Sequence, residues 1–385
     1  MTATDLVRPE DLAIDHEMAD IAASIPLLLY VTPTNLIEAR RQFLENGATP
    51  NFAYRTVEDP SVLEARLAAA STDAVEDPAL AHLLQAKHRE LELQVRMLRQ
   101  RDTDDFLDLS LQLYGTVSPA LVGDAESLLN TVVIARAEPG RRLDATAFAL
   151  RVEAELDHYR ARHAGLDVVV EIRQDSSGVM VSNGNVLIAP TVAVPEGRVH
   201  TLLQHEIGTH VVTHVNGSNQ PLRLLGAGLA DYDETQEGLA VFAEYLAGGL
   251  TPRRLRQLAA RVVAVHQMTD GESFATVHAG LVDCGIAVNE AFTITARVFR
   301  SGGLTKDAVY LRGLRGIISH IGAGGDLDGL WLGKMSLTDL PHINDLRSRG
   351  ILDDPLLVPR YLDDPAAPQR LAAVAASTTP LDLLA

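Results

Sequence analysis

Gln204-His205-Glu206-Ile207-Gly208-Thr209-His210, followed by Gln236-Glu237-Gly238-Leu239-Ala240, places two imidazoles, a carboxylate between them and a second carboxylate one helix later in one short region. A catalytic Zn²⁺ takes three nitrogen or oxygen ligands and keeps a fourth position open for water. A further carboxylate then serves as general base. In the H-E-x-x-H pattern the histidines stand four residues apart; here they stand five apart. On a regular α-helix each residue turns by about 100°, so His205 and His210 would lie about 140° apart and could not readily share one ion. A one-residue π-bulge, for which Gly208 is a natural place, brings such a pair to one side. The regular alternative sets Glu206, His210 and His214 at four-residue steps on one face, with Glu206 as ligand instead of base. Spacing alone leaves both geometries open.

The residues around these groups are apolar: Leu202, Leu203, Ile207, Val211 and Val212. Burying His205 and Glu206 among them is costly unless they are paired or bound to a metal, which favours a metal over a helix of incidental histidines. Glu237 falls on the first turn of the next helix, with Glu234 one turn before it and Glu244 two turns after. A glutamate ligand from a second helix packed on the first suits a catalytic zinc site. Gly238 and Ala240 beside it would let two helices approach closely. Glu234 reads equally as an acidic group favoured at a helix N-terminus.

Outward from this centre the chain reads as helical with one sheet segment. Helices are expected from Asn35 to Leu44, Pro78 to about Arg101, Asp102 to Tyr114, Asp144 to His163 and Glu234 to Ala247, with more from Pro252 to Ile321. Asp233 followed by Gln236 resembles a capping box. Val168–Ile172 reads as a strand. Val179–Ser182 and Asn185–Ile188 flank Asn183-Gly184, and an Asn-Gly pair between β-branched runs is the strongest short-range hairpin signal. Residues 1–25 read as a polar arm leading into a helix. Asp353-Asp354-Pro355 and Asp363-Asp364-Pro365 mark a loose tail.

Composition narrows the function classes. A formal net charge of −18 argues against a nucleic-acid binder, which needs clustered Lys and Arg, and against an anionic membrane surface. The one cysteine, Cys284, excludes an intrachain disulfide and fits a cytoplasmic protein. The N-terminus lacks the basic and apolar regions of a secretory signal, and no apolar run is long enough to span a bilayer.

His205–His210, then Asn216-Gly217-Ser218-Asn219-Gln220-Pro221, then Gln236–Ala240 resemble the QEGLA-motif family. Its bacterial members carry the label flavohaemoglobin expression-modulating proteins, and its animal relatives are the microtubule-associated tyrosine carboxypeptidases, which remove the C-terminal tyrosine of α-tubulin. Phe52-Ala53-Tyr54-Arg55, Leu113-Tyr114-Gly115 and Thr305–Gly313 look like further family segments. The resemblance implies zinc held by His205, His210 and Glu237, with Glu206 as base. It thereby selects the five-residue spacing and leaves His214 outside the ligand set.

The expectation is an α+β fold: a mainly helical metallopeptidase-like body with a small antiparallel sheet beside the metal-binding helices. Residues 1–24 would be an N-terminal arm, 25–120 a helical region packed on the catalytic body, 121–345 the catalytic region and 346–385 a C-terminal tail. The expected function is zinc-dependent removal of a C-terminal residue from a peptide or protein, with zinc-activated water and Glu206 as general base. An oxyanion needs a donor opposite the metal: Tyr310 is the first candidate, with His320 and Tyr232 behind it. The substrate carboxylate needs a cation, and Arg297, Arg300, Lys306 and Arg312 are available in one segment. The hairpin at 179–188 is a candidate edge for an extended substrate. The alternatives are a regulatory protein that keeps the zinc site without turnover, and a zinc hydrolase of a non-peptide amide.

Overall fold

The computed structural model describes residues 6–384 apart from 58, 133–139, 175 and 177; residues 1–5 of the expected arm lie outside them. Near the site the chain order is α1 (Pro9–Ala23), α2 (Pro78–Arg99), β1 (Arg142–Asp144), α3 (Ala145–Arg160), β2 (Val170–Ile172), β3 (Val179–Ser182), β4 (Asn185–Ile188) and β5 (Ala193–Pro195). One helix follows, in which α4 (Val199–His205) and α5 (Val212–Ser218) flank a π turn (Glu206–Val211). Then come α6 (Tyr232–Leu246), α7 (Pro252–Thr269), α8 (Val288–Phe299), α9 (Val309–Gly322) and α10 (Ala367–Val374). The architecture is the expected α+β one, mainly helical with small sheets. No helix among the described residues is long and apolar enough to cross a membrane.

The hairpin forms where its turn dipeptide sits. Asn183 and Gly184 take φ of 47° and 79°, the two positive values a type I′ turn requires. β3 and β4 pair antiparallel from Val179↔Ile188 to Ser182↔Asn185. β2 joins the other side of β4 in parallel, so the sheet is mixed and β3 is one of its two edges. The hairpin tip rests on α5: a Cβ on Gly184 would fall 2.4 Å from the His214 ring. β1 and β5 form a separate antiparallel ribbon.

Burial decides which way the histidine helix turns. Leu203, Ile207, Val211 and Val215 join one cluster with Val186 and Ile188 of the sheet and Phe148, Val152 and Leu156 of α3. Fully buried side chains of this kind contribute roughly 1.5–3 kcal/mol each. The polar face, with His205 and His210, is left toward α6. On its far side α6 meets α9 backbone to backbone. A Cβ on Gly238 would sit 2.2 Å from the Gly313 carbonyl carbon, and one on Gly313 1.9 Å from Glu234 O. Gly238 therefore serves the approach of α6 to α9, not to the histidine helix.

Two sequence expectations change. The region from Pro9 is a docked helix, not a polar arm: Met18 and Ile21 are buried, and Asp15 accepts from the backbone N–H of Arg223 (2.6 Å) and Leu224 (3.2 Å). The stretch beyond 346 is no loose tail. Asn216 Nδ2 donates to Leu357 O (2.8 Å) and Trp331 O (2.7 Å), and Leu357 N–H donates back to Asn216 Oδ1 (2.7 Å). Tyr361, 2% exposed, accepts from Trp331 Nε1 at 3.1 Å. Asp363-Asp364-Pro365 marks a turn and Asp353-Asp354-Pro355 lies in irregular chain, both in a strap across the back of the histidine helix.

Gly313→Ala should destabilise the protein by about 1–3 kcal/mol, because the obstructing atoms are backbone and cannot rotate away. Gly123→Ala, in the helix Pro119–Thr131 with nothing within 4 Å of the added methyl, should stabilise by about 0.5–1 kcal/mol. Chemical denaturation of both variants checks the pair.

Candidate metal centre

The helix carrying both histidines is distorted between them. Val212 N–H donates to Ile207 O, five residues back, the step that defines a π turn. Thr209 Oγ1 donates to Gln204 O at 3.2 Å, supplying a partner within the widened stretch. Gly208 faces the strap: a Cβ there would lie 2.8 Å from Gln204 Oε1 and 3.1 Å from the Tyr361 ring. The extra residue brings His210 round to His205, with ring centroids 5.2 Å apart. Thr213 Oγ1 lies 2.7 Å from Gln236 Oε1 and ties this helix to α6.

Glu237, on the first turns of α6, sets Oε2 3.9 Å from His205 Nε2 and 3.8 Å from His210 Nε2. One ligand atom from each of the three lies within 4.8 Å of the others, the one such group among the described residues. Ligand distances of about 2.0–2.2 Å imply ligand atoms about 3.4 Å apart around a tetrahedral ion. The two Glu237 distances stand close to that spacing, and the set as a whole, within 4.8 Å, closes on an ion by side-chain adjustment, so the donor set fits a metal. His214 is not among them: its Nδ1 lies 3.1 Å from Gly226 O, and burial, then Lys334, lower it to about 4. The regular-helix trio of Glu206, His210 and His214 is not formed.

The supporting charges suit this arrangement. Glu244 Oε1 sits 3.0 Å from His205 Nδ1 and 3.1 Å from Arg254 Nε, while its Oε2 accepts from Arg198 at 2.7 Å. Burial alone would raise the Glu244 carboxyl, but Arg254, His205 and Arg198 outweigh it and hold it well below its ordinary value. A carboxylate on Nδ1 fixes the ring and leaves Nε2 for a metal. Burial, then His205, Lys334 and Lys306, hold His210 well below its ordinary value, so it presents a neutral ring. Glu206 is 7% exposed. Burial pushes its carboxyl up to about 7, with His205 opposing and Glu237 and Glu244 adding.

The remaining expected residues separate by partner. Tyr310, on α9 one turn before Gly313, is raised by burial and then by the nearby Glu237. Arg297 gives Nε and Nη2 to the two oxygens of Asp307, both at 2.6 Å. Arg312 binds Glu234 and the Tyr114 and Thr116 carbonyls. Arg300, 6% exposed, donates to Thr32 Oγ1 at 3.0 Å. Lys306 Nζ lies 2.6 Å from Asp233 Oδ1 and 5.3 Å from the Tyr114 ring centroid. Asp233 therefore pairs with Lys306 and makes no capping box; α6 starts at Tyr232 after Asp231 with φ 56°. His320 faces elsewhere, on Asp326 O at 2.7 Å, and Tyr232 sits 5.9 Å from Lys87 and from Lys334.

Sequence reasoning did not assign Glu244, Arg198, Arg254 or Lys334. For Glu244 the signal was present, since it follows Glu237 by two turns on one face. The arginines that hold it come from other elements and leave no local signal.

The sequence profile described as microtubule-associated tyrosine carboxypeptidase matches residues 41–379. Microtubule-associated tyrosine carboxypeptidase 1 of Mus musculus is 28% identical over 218 residues, covering 51% of this chain and 44% of that protein. The match thus spans less than half of that relative's length. The crystal structure of a candidate lipoprotein from Colwellia psychrerythraea aligns at a TM-score of 0.47 and 15% identity over 81% of this chain and 66% of that one.

Glu244→Gln should weaken Zn²⁺ binding by about 10–100-fold, read by competition with a chromogenic chelator. Asp307 is 1% exposed; burial would raise it, but Arg297 and Arg261 hold it below the carboxylate range. Its depressed folded value makes the pair stabilising above about pH 4 and lost as pH falls further. Asp307→Asn should cost about 2–4 kcal/mol at neutral pH, less than a fully buried pair because Arg297 is a third exposed. Its stability should also fall less steeply than the wild type's in acid, as followed by urea denaturation from pH 7 to 3.

Proposed function

The chain belongs to the microtubule-associated tyrosine carboxypeptidase family, and from that premise we propose that it is a zinc-dependent metallocarboxypeptidase of the QEGLA-motif branch. The reading is carried by the convergence of His205 Nε2, His210 Nε2 and Glu237 Oε2 with Glu206 buried beside them. Zinc held by these three residues would supply Lewis acidity and a water acidified to about pKa 7.

The chain's own groups would do the rest. Glu206 would take the proton of the attacking water and deliver it to the leaving amine. Its withdrawal from solvent, which raises its carboxyl toward neutrality, suits a group that must both accept and release a proton. Glu244, itself fixed by Arg254 and Arg198, would keep the His205 ring from turning. Tyr310, whose phenol feels Glu237, would donate to the developing oxyanion. β3 lies against the π turn and is an edge strand of its sheet, so an extended peptide could add to it as a strand. Lys306, whose charge reaches His210, would add to the positive field on the substrate side. The substrate is a peptide or protein with a free C-terminus, an aromatic last residue being the first to try, in a cytoplasmic setting.

The test compares zinc-loaded wild type with Glu206→Gln on peptides ending in free, amidated and aromatic termini. Turnover by wild type should fall by at least about 10³-fold in Glu206→Gln, the scale expected for loss of a general base, with zinc content unchanged. No turnover by either protein over a broad peptide set would favour a regulatory protein that keeps the site.

A further inference from the structure

We propose that Arg261, on α7, receives the free α-carboxylate of the peptide substrate; the assignment rests on the carboxypeptidase reading above. It begins from an imbalance of charge beside Tyr310. Arg261, Arg297 and Arg300 gather around the single carboxylate of Asp307. Arg297 occupies both Asp307 oxygens. Arg300 turns away toward the Thr32 hydroxyl, with its own Nε buried and unpartnered there. Among the described residues Arg261 has no hydrogen bond and no acid within ion-pair distance, and its Nε is buried without a partner.

What Arg261 does touch is Tyr310: its guanidinium carbon lies 4.8 Å from that ring's centroid. A cation–π contact is a weak compensation for the buried Nε of this half-buried guanidinium. Arginine cannot relieve the deficit by losing its proton. Its terminal nitrogens stay open to water or to an incoming anion, and a planar fork of N–H groups matches a carboxylate in two parallel hydrogen bonds.

The position is right for a substrate terminus. Arg254 and Arg261 are seven residues apart, so they share a face of α7 at about 10 Å along its axis. Arg254 holds Glu244, which holds His205. The same face therefore runs from the support of one metal-binding histidine to the ring of the oxyanion candidate. Most other cations nearby are committed, Arg198 and Arg254 to Glu244, Lys306 to Asp233 and Arg312 to Glu234, while Lys334 lies on the Tyr232 ring.

The experiment measures binding of a fluorescein-labelled hexapeptide with an aromatic last residue, as free acid and as amide, by anisotropy. It uses zinc-loaded full-length Glu206→Gln, alone and combined with Arg261→Gln or Arg261→Lys, beside turnover by wild type. With Arg261 present the acid should bind about tenfold or more tighter than the amide. Arg261→Gln should bring the two within about twofold without changing the amide, and Arg261→Lys should keep part of the preference. The amide arm doubles as the folding control; should Arg261→Gln not fold, Arg261→Lys is read instead, and an undiminished preference there overturns the assignment. An acid preference retained in Arg261→Gln, or absent from the starting protein, also overturns it while wild-type turnover leaves the peptidase reading standing. Absence of both turnover and binding overturns the two together.

Discussion

One extra residue in a helix organises this site. A regular helix would point His205 and His210 apart, and no rotamer change closes about 140° of helical phase. The π turn from Glu206 to Val211 absorbs the mismatch at the expense of regular hydrogen bonding. A lost backbone bond costs on the order of 1 kcal/mol, and Thr209 offsets part of it through its hydroxyl on Gln204 O. The strap at Tyr361, set against Gly208, holds the widened turn from behind. Glu244 holds it from in front through His205. Strained geometry at a functional site is maintained by surrounding structure of this kind.

The second determinant is the contact between Gly238 and Gly313. Two glycines at the crossing let α6 and α9 touch backbone to backbone, closer than any side chain permits. That contact places Tyr310, one turn from Gly313, where its phenol feels Glu237. Glu237 itself is the residue before Gly238, so ligand and helix spacing are set by adjacent positions. The site is thus assembled between two layers: an apolar one that buries Ile207 and Val211 against the sheet, and a polar one in which α6, α7 and α9 converge.

Much of this was legible in one dimension. The hairpin at 179–188 was, because Asn183-Gly184 needs only its own two dihedrals to turn the chain. The His205, His210 and Glu237 cluster was narrowed by spacing to two geometries, and the choice between them rested on resemblance. The N-terminus of α6 was misread, because Asp233 looks like a cap locally but is drawn to Lys306, far along the chain. The stretch after 346 was misread for a similar reason: acidic Asp-Pro segments hide the long-range bonds from Asn216 to Leu357.

By itself, then, the sequence determined which groups can bind a metal, the family, the mainly helical fold and the hairpin, all properties of local spacing and residue chemistry. Only the tertiary structure decided which cations lack an acid partner and where each one faces. Arg297, Arg300, Arg312 and Arg261 are chemically alike on paper. Asp307 and Glu234 neutralise two of them; Arg300 reaches only the Thr32 hydroxyl, and Arg261 faces Tyr310. Ion pairing depends on distances of a few ångströms between helices far apart in the chain, and those distances exist only once α6, α7 and α9 have packed together.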